Sequence, residues 1–414
     1  MPTRPGITRR QFLALLPAAA ASLHVPLLAQ THLFSRKPKP APVVPHPLVY
    51  FGTDTDKPGA KGIYVSRFDS AHGQLTSPIL AAPALRPSFL ALGPLRSGRR
   101  MLYSVNEGAD EKTSMVSSFE MNPASGALQP LGQVSSGGAS PCYLALDATG
   151  HSAYVANYNG GTVASFVIRP DGTLSPPVER IDFHDEKVFG THGPVAARQE
   201  GPHPHSALIS PDNRFLIVND LGGDAIVTFA IDPNTARLGP PTVADSRKPG
   251  SGPRHLAFHP NGRWAYGIDE LSSKIDQYLW NATHATSGAA AIAHLTDTGR
   301  SISTLDPSFH GNNTAAEIVV SSNGFFVYAS NRGEDSLVVF TVDQKDGALA
   351  LAQRIACGGK APRHFTLDPT GRWLLCGNQD SASVTVFARD PGTGRLTGPV
   401  QTLPIEAPQF TLFA

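Results

Sequence analysis

The sequence has few cysteines, few charged residues and almost no net charge. Cys142, Cys357 and Cys376 are the only cysteines in 414 residues, and no two of them form a CxxC pair. This excludes a disulfide scaffold and a CxxC-type zinc site. Charged residues make up 16% of the chain, against about 25% in average proteins, which argues against a helical bundle or a coiled coil. The net charge is +1 and no basic cluster stands out, so we expect no nucleic-acid partner.

Glycine and proline, in contrast, are abundant. The 39 glycines and 37 prolines are about 18% of the residues, against roughly 12% in average usage. A hydrophobic content of 41% is enough to build a core. This composition is typical of many short strands joined by tight turns, and it predicts an all-β protein.

The first thirty residues have the features of an export signal. Arg9 and Arg10 precede an apolar run that reaches Ala29, which is the pattern of a bacterial twin-arginine signal. A membrane anchor is the alternative, but Pro17 interrupts the run, which is shorter than a good spanning helix. We therefore assign residues 1–30 to the signal. This predicts the twin-arginine export machinery as a partner, a periplasmic or secreted protein, and no stable membrane span after cleavage.

Residues 31–47 contain five prolines and are predicted to form an extended linker. From residue 48 onward one pattern recurs. It is an apolar strand, a Pro-Asx-Gly-like turn, an aromatic-rich second strand that ends in Asn or Asp, and a third strand followed by a Gly-x-Leu turn. The clearest copies run over residues 141–157, 253–269 and 362–378.

The repeat predicts the architecture of residues 48–414. Seven copies fit this range, with about 52 residues in each, and a period of this size with four strands per copy indicates a seven-bladed β-propeller. The first copy is incomplete, so we expect the C-terminal segment 408–413 to supply its missing strand and close the ring. A two-domain β-sandwich is the alternative, and the regular self-similarity argues against it.

Two positions of the repeat collect polar and charged residues. The first follows the proline at the start of strand one, and the second follows the Asn or Asp that ends strand two. Because strands one and two are antiparallel, both positions lie at the same end of the blade and converge on one mouth of the central channel. The first position holds Ser88, Cys142, His205, Arg254, Ala316 and Arg363, and the second holds Glu107, Tyr158, Leu221, Glu270, Arg332 and Gln379.

Several charges around one cavity suggest a binding or catalytic site. The alternative is that Glu270 and its neighbouring arginines only plug the channel with ion pairs. His255 and His364 come one residue later than the first position and are expected to point away from the mouth, into blade packing. The insertion 181–203 is expected to be a surface loop or a rim.

At these residues the chain resembles the bacterial lactonase family of seven-bladed propellers. That family includes propeller-type 6-phosphogluconolactonases and is similar to the fungal carboxy-muconate cycloisomerases. The resemblance covers essentially all of residues 48–414. It is carried by His203-Pro-His205, Gly252-Pro-Arg254-His255, Asp269-Glu270-Leu271, Ser330-Asn-Arg332-Gly333 and Asn378-Gln379-Asp380. The family's site, carried over residue by residue, falls on His205, Arg254, Glu270 and Arg332.

The resemblance implies hydrolysis of a sugar lactone, a step in carbohydrate metabolism, without a cofactor or a metal. Negative charge develops on the carbonyl oxygen during water attack, and Arg254 is the candidate to stabilise it. Either His205 or Glu270 would deprotonate the water. Arg332, Arg363 and Gln379 are candidate substrate-binding residues, since a guanidinium can hold a carboxylate or a phosphate at two points.

Two other functions stay open from the sequence. One is a non-catalytic propeller that binds a partner or a glycan through its rim, and the other is an isomerase that forms a lactone instead of opening it. Whether the lactone is phosphorylated is also open, because phosphorylated sugar lactones are cytoplasmic metabolites whereas the signal directs the protein out of the cytoplasm.

Overall fold

The computed structural model describes residues 46–244, 248–283 and 292–414, which form seven antiparallel sheets. The first strands of the sheets contact one another in a closed cycle, so they line a central axis and each sheet extends outward as a blade. The predicted all-β, seven-bladed propeller is confirmed. The predicted signal, residues 1–30, lies outside the described residues, as does the predicted linker up to residue 45.

Blades 1 to 3 occupy the first half of the domain, and a one-turn helix, α1 (Glu186–Phe189), follows blade 3. The strands of these blades are β1 (Leu48–Thr53), β2 (Gly62–Asp69), β3 (Gln74–Leu75), β4 (Ile79–Pro83), β5 (Leu90–Leu92), β6 (Met101–Asn106), β7 (Met115–Met121), β8 (Leu128–Ser135), β9 (Pro141–Leu146), β10 (Ser152–Asn157), β11 (Thr162–Val167) and β12 (Glu179–Asp182).

Blades 4 to 7 follow with four strands each, and a short 3₁₀ turn, Gln379–Ser381, lies in blade 7. Their strands are β13 (Pro204–Ile209), β14 (Phe215–Asp220), β15 (Ala225–Ala230), β16 (Thr242–Val243), β17 (Pro253–Phe258), β18 (Trp264–Asp269), β19 (Lys274–Ala282), β20 (Ala293–Ser303), β21 (Thr314–Val320), β22 (Phe326–Arg332), β23 (Ser336–Val342), β24 (Leu349–Ala356), β25 (Pro362–Leu367), β26 (Trp373–Asn378), β27 (Ser383–Arg389) and β28 (Leu396–Pro404), and the C-terminal strand is β29 (Pro408–Phe413).

The ring is closed by the two ends of the domain, as the incomplete first repeat predicts. Strand β29 pairs with β1, so the C-terminal strand is the innermost strand of blade 1. Gly52 in β1 lies opposite Phe410 and also against blade 2, where a Cβ atom would come within 2.0 Å of the carbonyl oxygen of Pro87. Only glycine permits this approach, so the closure depends on a position without a side chain.

Neighbouring blades are joined by a hydrogen bond that explains the aromatic residues and the Gly-x-Leu turns of the repeat. The phenol of Tyr50 in β1 donates to the carbonyl of Gly126, in the turn of the next blade, at 2.9 Å. Such a bond satisfies a buried hydroxyl and fixes one blade against the next. The equivalent pairs are Tyr103 with Gly172, Tyr266 with Gly347, and Tyr328 with Gly394. Each of these glycines has a positive φ, which a tight turn requires there.

Candidate active site at the channel mouth

The residues of the first position in blades 3 to 7 stand at β-bulges of the inner strands. In β13, Pro204 pairs with Asp220 and Ser206 pairs with Asn219, so that His205 is the extra, unpaired residue. A bulge disrupts the ladder locally and re-aims a side chain. The repeated bulge therefore explains how successive strands turn one side chain each toward the mouth. The same one-residue shift occurs at Cys142, Arg254, Arg363 and Gln409.

Glu270 is the centre of a buried charge cluster at this mouth. Its Oε2 accepts a hydrogen bond from Nε of Arg254 at 3.0 Å and pairs with Nη2 of Arg332 at 2.8 Å. Nε2 of His205 lies 3.8 Å from the same oxygen. The structure thus brings together the four residues on which the lactonase resemblance falls. A third guanidinium, that of Arg198, donates to Oε1 of Glu270.

The cluster holds more positive than negative charge, and this decides the protonation of its members. Burial alone would raise the pKa of Glu270, but the charges of Arg332, Arg254 and Arg198 outweigh burial and hold it well below 4.5. Burial and the charge of Arg332 lower the pKa of Arg254. Glu270 is therefore a permanently ionised counter-charge for three guanidinium groups, which makes it a poor proton acceptor.

His205 has the opposite character. Burial, followed by the charge of Arg254, holds its pKa well below 6.5, so its imidazole is neutral at pH 7. Its Nδ1 is buried without a hydrogen-bond partner among the described residues. The attraction of Glu270 favours the proton on Nε2, which leaves the lone pair of Nδ1 available. A neutral imidazole with an unused lone pair can accept a proton.

The predicted substrate-binding residues line a separate, more open part of the mouth. Arg332, Arg363 and Gln379 are on the wall of a cavity of about 630 Å³ between blades 6 and 7, together with Lys360. The guanidinium of Arg363 makes no hydrogen bond or ion pair with a described residue. His205 is not on this wall. Arg332 connects the two parts, because it contacts Glu270 and lines the cavity.

Arg198 is a member of the cluster that the repeat could not indicate. It belongs to the insertion 181–203, which was expected to be a surface loop or a rim, and its side chain is 37% exposed. The loop is held by Gln199, whose side chain is buried and donates to the Leu221 carbonyl and to Asp224. An arginine in an insertion has no counterpart in the other blades, so only its distance to Glu270 in the folded chain reveals it.

The expectation for His255 and His364 is wrong. Both side chains face the axis and form a layer beneath the mouth with Glu317, which lies 3.1 Å from His255 and 3.4 Å from His364. The reason is the bulge, which turns two consecutive residues of the inner strand toward the channel instead of one. Aromatic rings complete the layer: Phe89 lies 4.1 Å from Tyr143 between ring centroids.

Residues 46–244, 248–283 and 292–414 contain no group of three or more His, Cys, Asp or Glu residues arranged to hold a metal ion. No helix among them has the length and apolar character needed to cross a membrane. The three cysteines are buried as free thiols.

Comparison with known proteins adds to this geometry. The family model described as "Lactonase, 7-bladed beta-propeller" matches residues 48–413. The chain is 33% identical over 364 residues to the 6-phosphogluconolactonase of Bacillus subtilis, a match that covers 88% of this chain and 97% of that protein. It is 33% identical over 363 residues to the 6-phosphogluconolactonase of Formosa agariphila, covering 86% and 96%.

A solved structure shows the same likeness. The periplasmic gluconolactonase PpgL of Pseudomonas aeruginosa superposes with a TM-score of 0.77 at 33% identity. The match covers 89% of this chain and 99% of that one.

Proposed function

The chain belongs to the lactonase family of seven-bladed β-propellers, and on that premise we propose that it is a carboxylic ester hydrolase that opens a sugar lactone at the channel mouth. The observation that carries the proposal is the pairing of a neutral His205 with the Glu270–arginine cluster. The relatives named for the hydrolysis of 6-phosphogluconolactone, and the neighbour named as a periplasmic gluconolactonase, support the reaction class.

His205 is the proposed general base. It is neutral, and its Nδ1 can take a proton from water as the water oxygen bonds to the lactone carbonyl carbon. Glu270 does not compete for this role, because three guanidinium groups hold it ionised. The proton taken by His205 then passes to the ring oxygen as the ester bond breaks, which gives the open hydroxy acid. Glu270 orients the imidazole and the arginines.

Arg254 is the proposed stabiliser of the negative charge on the carbonyl oxygen. Its Nε donates to Glu270 and its Nη1 donates to the carbonyl of Ala316, so both nitrogens are engaged. Its Nη2 makes no hydrogen bond to a described residue and is the nitrogen left for the oxyanion. A fixed cation in a site shielded from water lowers the barrier more than the same cation in solvent.

Arg332, Arg363 and Gln379 are proposed to bind the rest of the substrate in the open cavity. Two further polar atoms could contact such a substrate. They are Ser88 Oγ and Gln409 Oε1, which are also buried without partners among the described residues. Such groups favour a ligand with hydroxyls. Nδ1 of His205 is buried in the structure, so a side chain has to move for water and substrate to reach it. Arg198 is best placed to do so, since it is the most exposed of the three arginines that contact Glu270.

We expect the purified mature protein to release protons from D-glucono-1,5-lactone or its 6-phosphate, and to do so after incubation with EDTA. Arg363→Ala should raise KM about 10-fold or more for the lactone that carries a phosphate, because a charge-assisted hydrogen bond is lost. KM for the unphosphorylated lactone should change little. Proton release followed with a pH indicator measures both.

Arg395→Ala is the matched control for Arg363→Ala. Arg395 is an exposed arginine of the same blade, in the turn at the opposite end of β27, and its replacement should leave both KM values unchanged. Turnover of no lactone above the uncatalysed rate would overturn the proposed function and favour the binding-module alternative. Activity on unsaturated diacids alone would favour the lactone-forming isomerase.

We also propose that the protein is exported by the twin-arginine route before it acts. Arg9→Lys combined with Arg10→Lys keeps the positive charge but removes the arginine pair that the export machinery reads. The wild type should appear in the periplasmic or extracellular fraction at a shortened mass, and the double variant in the cytoplasm at full length. Fractionation followed by intact-mass measurement tests this, and equal export of both proteins would contradict it.

A further inference from the structure

The layer beneath the mouth contains a buried carboxylate that the proposed reaction does not use. Glu317 in β21 lies between His255 of β17 and His364 of β25. Nδ1 of His255 is 3.2 and 3.1 Å from its two oxygens, and Nε2 of His364 is 3.4 Å from Oε2. The distances from His255 are those of a hydrogen bond donated by its Nδ1–H, whereas the 3.4 Å from His364 is a longer polar contact.

The proton positions in this layer follow from a backbone contact. The amide N–H of Thr411, in the closing strand β29, donates to Nδ1 of His364 at 3.2 Å. A nitrogen that accepts a hydrogen bond carries no proton, so in neutral His364 the proton is on Nε2, which faces Glu317. Glu317 also accepts from the amide of Ile318 at 3.0 Å.

On its other side the carboxylate is linked to Arg254. Nη1 of Arg254 lies 3.3 Å from Nε2 and 3.4 Å from Nδ1 of His255, so this nitrogen packs against the imidazole ring instead of binding one of its lone pairs. A continuous chain of contacts thus runs from the guanidinium of Arg254 to the His255 ring, and from Nδ1 of that ring by a hydrogen bond to Glu317. His364 and the amide of Thr411 hold the far end of the chain.

The chain carries one negative charge. Burial would raise the pKa of Glu317, but the two histidines and Arg254 lower it to about 2. Burial lowers the pKa of His364 to about 4 and also lowers the pKa of His255, so both imidazoles are neutral at pH 7. The layer therefore places a second buried anion near Arg254, in addition to Glu270.

We propose that Glu317 is a positioning residue that acts through His255 to hold the Arg254 guanidinium in place beneath the substrate carbonyl. This rests on the proposed function. Arg254 is held at Nε by Glu270 and at Nη1 by the Ala316 carbonyl and the His255 ring. A carboxylate that accepts a hydrogen bond from one ring nitrogen of a histidine sets the tautomer and the orientation of that ring.

A purely structural role for Glu317 makes a different prediction from a positioning role. A buried anion that only stabilises the fold affects the amount of folded protein, not the barrier of the folded enzyme. An anion that positions an oxyanion donor affects an interaction made only in the transition state, so its removal lowers kcat and leaves KM unchanged.

We expect Glu317→Gln to lower kcat about 10- to 100-fold on the preferred lactone, with KM within about twofold of wild type. Glutamine keeps the volume and an acceptor for the Ile318 amide but removes the charge. In an Arg254→Lys background, Glu317→Gln should lower kcat by no more than about threefold, because the two residues act as one unit. Equal losses of kcat in both backgrounds would overturn the proposal.

Two further variants distinguish a positioning role of Glu317 from an effect on the stability of the fold. Glu334→Gln, in the same blade, removes a carboxylate whose side chain is as exposed as that of Glu317 (9%) but which contacts Asn331, Ser336 and Arg354. It should leave kcat unchanged. His255→Phe keeps a ring that packs on Tyr143 but cannot donate a hydrogen bond to Glu317, and it should reproduce the loss of kcat seen with Glu317→Gln.

A measurement without substrate keeps this inference apart from the proposed function. The Nε–H signal of Arg254, assigned by its loss in Arg254→Lys, should exchange slowly with solvent in the wild-type NMR spectrum and much faster in Glu317→Gln. If the wild type hydrolyses no lactone, the proposed function fails, and the exchange rate alone decides whether Glu317 holds Arg254. An unchanged exchange rate with an unchanged kcat would overturn the inference while the lactonase function stands.

Discussion

Replacing His205 with glutamine is expected to lower kcat about 10²- to 10⁴-fold, the range that a positioned general base contributes. Glutamine approximates the length of the imidazole but cannot accept a proton at neutral pH. In the variant, the remaining rate should rise with pH, because hydroxide then has to replace the water that His205 activates. Steady-state proton release between pH 5 and 8 measures both effects.

The wild-type pH profile follows from the same environment. Burial and Arg254 hold the pKa of His205 well below 6.5, so the base is unprotonated throughout the neutral range. The groups that face it are Arg254, Glu270, His255 and Arg363. We therefore expect kcat/KM to stay level as the pH falls to 6.5 and to decline only at lower pH. A decline centred near 6.5 would mean an exposed histidine instead.

His259→Gln is the matched control for the His205 variant. His259 is also buried, but it bonds to the carbonyl of Gly324 at 2.8 Å and to the amide of Asn261, at the opposite end of blade 5. Its replacement should lower stability and leave kcat unchanged. If His205→Gln retains more than about a tenth of the wild-type kcat, the base is another group, and Glu270 is the first to consider.

The repeat in the sequence carries most of the information about the fold. Blade number, ring closure by residues 408–413 and the convergence of the two positions on one mouth all follow from a pattern that recurs seven times, although blade 1 has five strands and not the predicted four. The pattern works because each copy forms the same blade, and because Tyr50 and its equivalents bond to the glycine of the next copy.

The parts of the site that the sequence could not predict are those that depart from the repeat. Arg198 comes from an insertion, and its partner Glu270 is 72 residues away along the chain. The inward direction of His255 and His364 depends on a bulge, and period-two alternation assigns the residue after the first position to the other face. The proposal of His205 and not Glu270 as the base depends on the number of guanidinium groups around the carboxylate, which only the folded chain supplies.

Glu270→Gln is expected to have the largest effect on stability of any single change at the mouth. The carboxylate is 3% exposed and is the shared partner of Arg198, Arg254 and Arg332. Removing the anion leaves buried guanidinium groups uncompensated, and breaking a buried pair in this way costs about 3–5 kcal/mol. Chemical denaturation at pH 7 should show a loss in this range, together with loss of activity, since Arg254 then loses its Nε partner.

The free energy of unfolding should depend on pH in a direction set by the pKa of Glu270. The pKa of Glu270 is lower in the folded protein than the 4.5 of an unperturbed glutamate, so its contribution to stability is present above pH 4.5 and is lost as the pH falls toward the folded value. The difference in unfolding free energy between wild type and Glu270→Gln should therefore be constant from pH 6 to 8 and shrink below pH 4.5. A difference that grows on acidification would contradict the assignment of Glu270 as a permanently ionised counter-charge.

Two further variants test whether the loss of stability in Glu270→Gln comes from leaving buried charges unpaired. Glu120→Gln removes a carboxylate that also binds an arginine at two points, Arg99 at 2.7 and 2.6 Å, but on the surface of blade 2. Solvent screens that pair, so its loss should change stability little. Combining Glu270→Gln with Arg198→Ala should be less destabilising than the sum of the two single changes, because the second substitution removes one of the charges that the first leaves unpaired. Strict additivity would mean that Arg198 is balanced by solvent and not by Glu270.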